Sequence, residues 1–265
     1  MVLFACDLDN TLIYSYKHIA AITEPVCVEW LNGAEQSYMS RRTVEILQTL
    51  ANYAVFIPVT TRSVEQYRRI IFPGKIVPEF ALVANGAILL RHGEIDRDWL
   101  DESLVYARAA QRELRQLADI FAVNTEPNCT CRMVDDMYLF LRGEDEAQAT
   151  DLFFRVRAKT CLAIGISGRK VYVFPDRLDK GTALVRLKAF FNSAKVFSAG
   201  DSPLDVPMLQ NSDVAFVPTK EMAARCSIGS VLTGVVVCDD ETLFAEQMLD
   251  ELVWRVAKTE AKLTV

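Results

Sequence analysis

Residues Val2 to Cys6 form an unbroken apolar run, and the chain then turns at once to Asp7-Leu8-Asp9-Asn10-Thr11. A short apolar run without polar alternation suits a strand buried on both faces, as in a parallel sheet covered by helices. Open α/β sheets bind ligands just beyond the carboxyl ends of their strands, which is where this run delivers its acids. The pattern recurs: Ala54 to Val59 ends in Thr60-Thr61-Arg62, and Lys195 to Ala199 ends in Gly200-Asp201. Between the first two runs, Val44, Leu47 and Leu50 fall at helical spacing behind Ser40, which predicts a helix over 41–52 capped by that serine; Ser63 is placed to cap another through Ile70.

The middle of the chain follows a different rule. Ala81 to Ala84 reads as a third strand, and Asn85-Gly86 is a turn signal that also suits a chain crossing between domains. From there to Phe174 the order is strand, helix (102–118), two strands, helix (145–159) and two strands around Gly168, the order of a small α+β unit with helices on one face of an antiparallel sheet. After Pro175 the parallel pattern returns with a helix over 180–191, short strands at 195–199, 214–217 and 231–237, and a closing amphipathic helix over 241–258. The expected fold class is therefore α/β, a parallel-sheet core made of 1–85 and 176–265 that carries 86–175 as an inserted α+β domain. The 265 residues suffice for two such unequal units.

Charge narrows the partners. A net charge of -6 argues against a broad nucleic-acid surface, so an anionic ligand must be held by local cations. No apolar run is long enough to span a membrane, and no targeting segment is recognisable, so a cytoplasmic, membrane-free protein is expected. Seven cysteines, an odd number in a chain of this size, suit a reducing compartment, and the close pair Cys129 and Cys131 reads as strand residues rather than a zinc site. Asn128-Cys129-Thr130 matches a glycosylation acceptor in form only.

Asp7 and Asp9, one residue apart, point the same way from an extended backbone, and two carboxylates in one small site call for a raised pKa or a divalent cation. Magnesium suits a few carboxylate oxygens completed by water and phosphate. Asp201, beside Gly200, and Asp205 a turn later supply further carboxylates, while Lys180 opens a helix directly after Asp179 and places a compact cation near an anion-favouring helix terminus. Phosphoryl transfer needs this kit: a carboxylate to attack phosphorus, a second acid to move the proton, and donors such as Thr60 on the phosphoryl oxygens.

Asp7-Leu8-Asp9-Asn10-Thr11, Thr60, Lys180 and Gly200-Asp201 with Asp205 resemble, in order, the four motifs of the haloacid dehalogenase superfamily, and the insertion 86–175 resembles the C2 cap of its sugar-phosphatase, sucrose-phosphatase-like and phosphomannomutase branch. The resemblance implies a Rossmann-like core with a mobile cap. It makes Asp7 the nucleophile, Asp9 the general acid and base, Thr60 and Lys180 phosphate ligands, and Asp7, the Asp9 carbonyl and Asp201 magnesium ligands with Asp205 in support. Thr61, Arg62 and Asn85 complete the candidate phosphate- and substrate-binding set. Aspartate at position 9 points to phosphate rather than carbon-halogen chemistry. Two positions depart from the pattern: Thr61 stands where many C2-capped relatives have glycine, and Leu204 where they usually have asparagine.

The expected activity is hydrolysis of a small phosphorylated metabolite, with a sugar phosphate as the branch's default substrate. Phosphomutase chemistry and a non-catalytic phosphate-binding regulator are the rivals. A hairpin around Asn32-Gly33, joining 26–30 to 35–39, is expected over the site. Arg169 and Lys170, beside Gly168, either meet an anionic substrate or face solvent.

Overall fold

Leu3, Phe4, Ala5 and Cys6 have no exposed surface, and the reason is their position at the centre of the main sheet. In the computed structural model, which describes residues 1–122, 128–191, 195–227, 234–238 and 242–261, the strand Val2–Cys6 lies between Lys195–Ala199 and Val55–Pro58. Both pairings are parallel, with Phe4 opposite Phe197 and Phe56. Val214–Val217 and Gly234–Val237 extend the sheet, also in parallel, to five strands.

Alternation along this central strand feeds two cores. Val2, Phe4 and Cys6 pack with Val44, Leu47 and Leu50 of the helix Arg41–Leu50 and with Met248, Leu249 and Leu252 of the closing helix Phe244–Ala261. Leu3 and Ala5 point to the opposite face, against Leu184 and Leu187 of the helix Lys180–Lys188 and Met208, Leu209 and Met222 beyond it. Fully burying such side chains is worth about 1.5–3 kcal/mol each, which makes the apolar run an anchor for both layers.

The caps operate as their sequence signals dictate. Ser40 Oγ accepts from the Thr43 N–H at 3.0 Å, and Ser63 and Gln66 form a reciprocal capping box. The second of these helices ends at Arg68 rather than Ile70, because Ile70 bridges to Glu29 and the Ile71 N–H donates to Val28 O, drawing the chain to the hairpin Pro25–Leu31 and Ala34–Ser40. That hairpin turns at Asn32 and Gly33, both at positive φ. One further helix, Lys220–Ser227, has no counterpart among the sequence expectations. Residues 231–233 and Glu241, expected in the strand 231–237 and the helix 241–258, lie outside the described residues.

The strand Phe80–Val83 touches the main sheet through the parallel bridge Val59 to Leu82. Ala84, Asn85 and Gly86 then adopt positive φ in succession, and the chain doubles back as Ile88–Arg91, antiparallel to Phe80–Val83. Side-chain bulk is excluded at Gly86, where a Cβ would run into Ala183. From Asp96, whose Oδ1 accepts from the Trp99 N–H, the helix Arg97–Ile120 leads to a second sheet. Its four antiparallel strands lie in the order Ala163–Ser167, Lys170–Phe174, Tyr138–Arg142, Thr130–Val134. One face, with Leu139, Leu141, Val171 and Val173, packs on that helix and on Glu146–Arg157. The other turns toward the carboxyl ends of the core strands. Among the described residues no helix is long and apolar enough to cross a membrane.

Candidate active site

Three carboxylates converge at the carboxyl ends of neighbouring core strands. Asp7 follows Val2–Cys6, Asp201 follows Lys195–Ala199, and Asp205 closes the next turn; one oxygen from each lies within 4.8 Å of the other two. Gly200 permits the approach, since a Cβ there would lie 2.6 Å from Asp205 Cγ. Ser202 fixes Asp205 through its N–H at 2.9 Å and its hydroxyl at 2.8 Å, both to Oδ2. Thr11, the last residue of the amino-terminal acidic motif, holds its hydroxyl 3.3 Å from both Asp7 Oδ2 and Asp201 Oδ1.

Lys180 enters from the opposite side, at the start of its helix, where Asp179 caps the Gly181 and Thr182 N–H groups. Gly181 lets that helix close on Pro207, whose carbonyl carbon would sit 2.5 Å from a Cβ. Lys180 Nζ donates to Asp7 Oδ1 and to Asp205 Oδ1, each at 2.5 Å, and the residue is 1 % exposed. One ammonium thus binds two of the three acids. Burial works against the lysine's charge, but Asp205 and Asp7 outweigh it and hold the proton more firmly than in free lysine. Burial raises Asp7 well above the ordinary carboxylate range despite Lys180, with Asp205 and Asp201 adding to the rise. Burial and the neighbouring Asp205 push Asp201 up to about 7. An all-oxygen donor set short of positive charge is what a hard divalent cation relieves, so Asp7 and Asp201 fit such an ion. Asp205, with both oxygens already engaged by Lys180 and Ser202, supports the set.

Asp9 stands apart from this triad. It lines the same small cavity, of about 40 Å³, as Asp7, Lys180 and Asp201, yet its carboxylate is gripped by Arg62 through Nε at 2.9 Å and Nη2 at 2.8 Å. Burial alone would raise its pKa; the Arg62 hydrogen bonds and charge overcome that and lower it. Arg62 is no surface residue: its side chain is 12 % exposed and its Nη1 also pairs with Glu29 Oε2 at 2.9 Å. Glu29, from the hairpin, further accepts from Arg69 and Ser37. Sequence reasoning missed Glu29, whose only signal is an acid in an otherwise apolar strand, Val28-Glu29-Trp30.

Thr61 lines the cavity, whereas Thr60 and Asn85 line neither this cavity nor its larger neighbour. Thr60 is fully buried, and its hydroxyl accepts from the Arg62 N–H at 3.1 Å, so it shapes the loop that presents Thr61 and Arg62. Asn85 is buried as well and donates to Leu178 O, tying the turn at 84–86 to the approach to Lys180. Leu204 reaches the second sheet: a Cβ on Gly165 would overlap its side chain. A larger cavity, of about 380 Å³, shares Asp9, Thr61, Lys170 and Tyr172 with the small one and extends beneath the second sheet.

A parallel core with acids at its strand ends and an α+β insertion facing them is the haloacid dehalogenase-like fold, and this chain has it. No protein-family model and no curated protein matches the sequence. Among solved structures, the chain is similar to the sucrose-phosphatase of Synechocystis sp. in complex with sucrose and phosphate, with TM-score 0.61, 14 % identity and 96 % of this chain aligned to 97 % of that one. It is also similar to the C-terminal domain of the C. albicans trehalose-6-phosphate phosphatase, with TM-score 0.62, 13 % identity and coverage of 96 % and 92 %. A haloacid dehalogenase-like hydrolase from B. subtilis aligns at TM-score 0.55 and 18 % identity over 94 % of this chain and 99 % of that one. At these identities the likeness is one of fold.

Proposed function

We propose that the protein is a magnesium-dependent phosphohydrolase that cleaves a small phosphomonoester through a covalent intermediate on Asp7. The observation that carries this reading is the convergence of Asp7, Asp201, Asp205 and Lys180 at the carboxyl ends of the core strands, with Asp9 lining the same cavity. Asp7 is fixed by Lys180 and Thr11, which aims one carboxylate at an incoming phosphorus without a conformational search.

In the first displacement an Asp7 oxygen bonds to phosphorus, the ester P–O bond breaks, and Asp9 gives its proton to the departing oxygen. In the second, Asp9 takes a proton from water, the water oxygen bonds to phosphorus, and the Asp7–phosphorus bond breaks to release inorganic phosphate. Arg62 keeps Asp9 ionised, ready for the second step. The first step needs Asp9 protonated and free of Arg62, and Glu29 is positioned to retain the guanidinium meanwhile. Magnesium held by Asp7, Asp201 and the Asp9 carbonyl, with Asp205 in support, would offset the charge on the transferring phosphoryl group. The second sheet, part of the inserted unit 86–175, forms the cap that excludes water and meets the leaving group. A sugar phosphate is the first substrate class to try, because the sucrose and trehalose-6-phosphate phosphatases share the fold.

The test is inorganic phosphate release from an aryl phosphate and a panel of sugar phosphates, with magnesium and with excess chelator. Magnesium-dependent release is expected. Absence of release from every compound, in protein shown to be folded, overturns the reading.

A further inference from the structure

The cavity beneath the second sheet has a charge that the reacting phosphate does not explain. Five basic side chains line it, Arg62, Arg69, Arg132, Arg142 and Lys170, against two acidic ones, Asp9 and Glu29, a local excess of three positive charges in a chain of net charge -6. Both acids are already engaged, Asp9 by Arg62 and Glu29 by Arg62 and Arg69. Among the described residues no carboxylate lies within ion-pair distance of Arg132, Arg142 or Lys170 on the sheet face, and Asp9, on which the Lys170 charge acts, is already held by Arg62.

Their placement costs stability. Arg142 and Lys170 are direct cross-strand partners, and like charges so opposed destabilise a strand pair. Arg132 sits two pairs further along on the same face, opposite Phe140, with its guanidinium 5.2 Å from the centre of that ring. Phe140 and Tyr172, ring centroids 5.5 Å apart, form an apolar wall beside the three cations. A repulsive cluster on an ordered sheet, walled by aromatics and opening on a catalytic cavity, is what an anionic ligand group would neutralise.

The transferred phosphoryl group is not that anion. It belongs beside Asp7, Lys180 and Asp201, in the small cavity. Lys170 lines both cavities, but Arg132 and Arg142 line the larger one alone. We infer that the substrate carries a second anionic group, phosphate or carboxylate, on the portion that departs with the hydroxyl, and that Arg132 and Arg142, with Lys170 at the junction, select for it. The inference rests on the phosphohydrolase reading for the orientation of the substrate.

Binding measured without turnover separates the two. Calorimetry on the magnesium-loaded Asp7→Asn protein compares glucose 1,6-bisphosphate, 6-phosphogluconate and glucose 6-phosphate. At least one of the two anion-tailed compounds is expected to bind about 10-fold or more tightly than glucose 6-phosphate, as charge-assisted hydrogen bonds dictate, and which one does so tells phosphate from carboxylate. Arg132 and Arg142 are exposed, so glutamine fits at both, and the Arg132→Gln/Arg142→Gln variant is expected to reduce the advantage to about 3-fold or less. Equal affinity for all three compounds, or an advantage that survives the double substitution, overturns the inference. Phosphate release from the intact protein reports separately on the reaction: release that favours glucose 6-phosphate overturns the second-anion inference alone, whereas no release from any compound overturns the phosphohydrolase reading.

Discussion

Asp7 and Lys180 bond across 173 positions of sequence, and each depends on the other inside a nearly dry site. Asp7→Asn removes the attacking oxygen's charge with almost no change of volume. Its kcat is expected to fall by on the order of 10⁴-fold or more, while thermal unfolding stays near that of the parent; retained turnover would sink the covalent mechanism. Lys180→Met has the opposite profile. It leaves Asp7 and Asp205 buried without their shared cation, a loss of about 3–5 kcal/mol, to be read by denaturant unfolding in chelator. Magnesium is expected to restore part of that stability by taking over the neutralising role, and an unchanged midpoint with the metal would contradict Asp7 and Asp201 as ligands.

Among elements, the helix Arg41–Leu50 shows how a local signal acquires a tertiary role. Ser40 caps it by accepting from Thr43 N–H and, through its own hydroxyl, donates to Glu246 Oε1 at 2.5 Å on the closing helix. Ser40→Ala is expected to cost about 1–2 kcal/mol, seen as a lower thermal midpoint. The same substitution at a cap with no second partner would sit at the low end of that range. The hairpin Pro25–Leu31 and Ala34–Ser40 is legible from Asn32-Gly33, since a tight turn with both residues at positive φ favours that dipeptide. Its function is not legible: the burial of Glu29 against Arg62 and Arg69 arises only when two strand-to-helix connections meet.

At the scale of the whole molecule, the relation between the two sheets decides what the site admits. Leu204, in the turn that carries Asp205, packs against the second sheet at Gly165 and joins the apolar cluster that includes Tyr172 and Phe174. Leu204 thus joins the turn that carries Asp205 to the second sheet. Leu204→Ala is expected to weaken it by about 2 kcal/mol, raising KM for the substrate and speeding hydrogen exchange over 163–174 relative to the core strands. Exchange that is unchanged there would show that Leu204 does not hold the second sheet against the turn that carries Asp205.

The sequence by itself determined the strands, the caps and the order in which acids and Lys180 reach the strand ends, because apolar runs, helical spacing and capping side chains act over a few residues. That Asp205 is the neighbour for which Gly200 leaves room was decided by the tertiary structure, where a Cβ at position 200 would lie 2.4 Å from Asp205 Cβ. Only the tertiary structure decided the pairings of Arg62. A guanidinium just before a helix cap looks the same in sequence whether it faces solvent or bridges Asp9 and Glu29, residues brought to it by separate strands. The same holds for Lys170: strand alternation fixes which side chains share a face, and packing alone decides that this exposed lysine stands on the cavity that holds the acids.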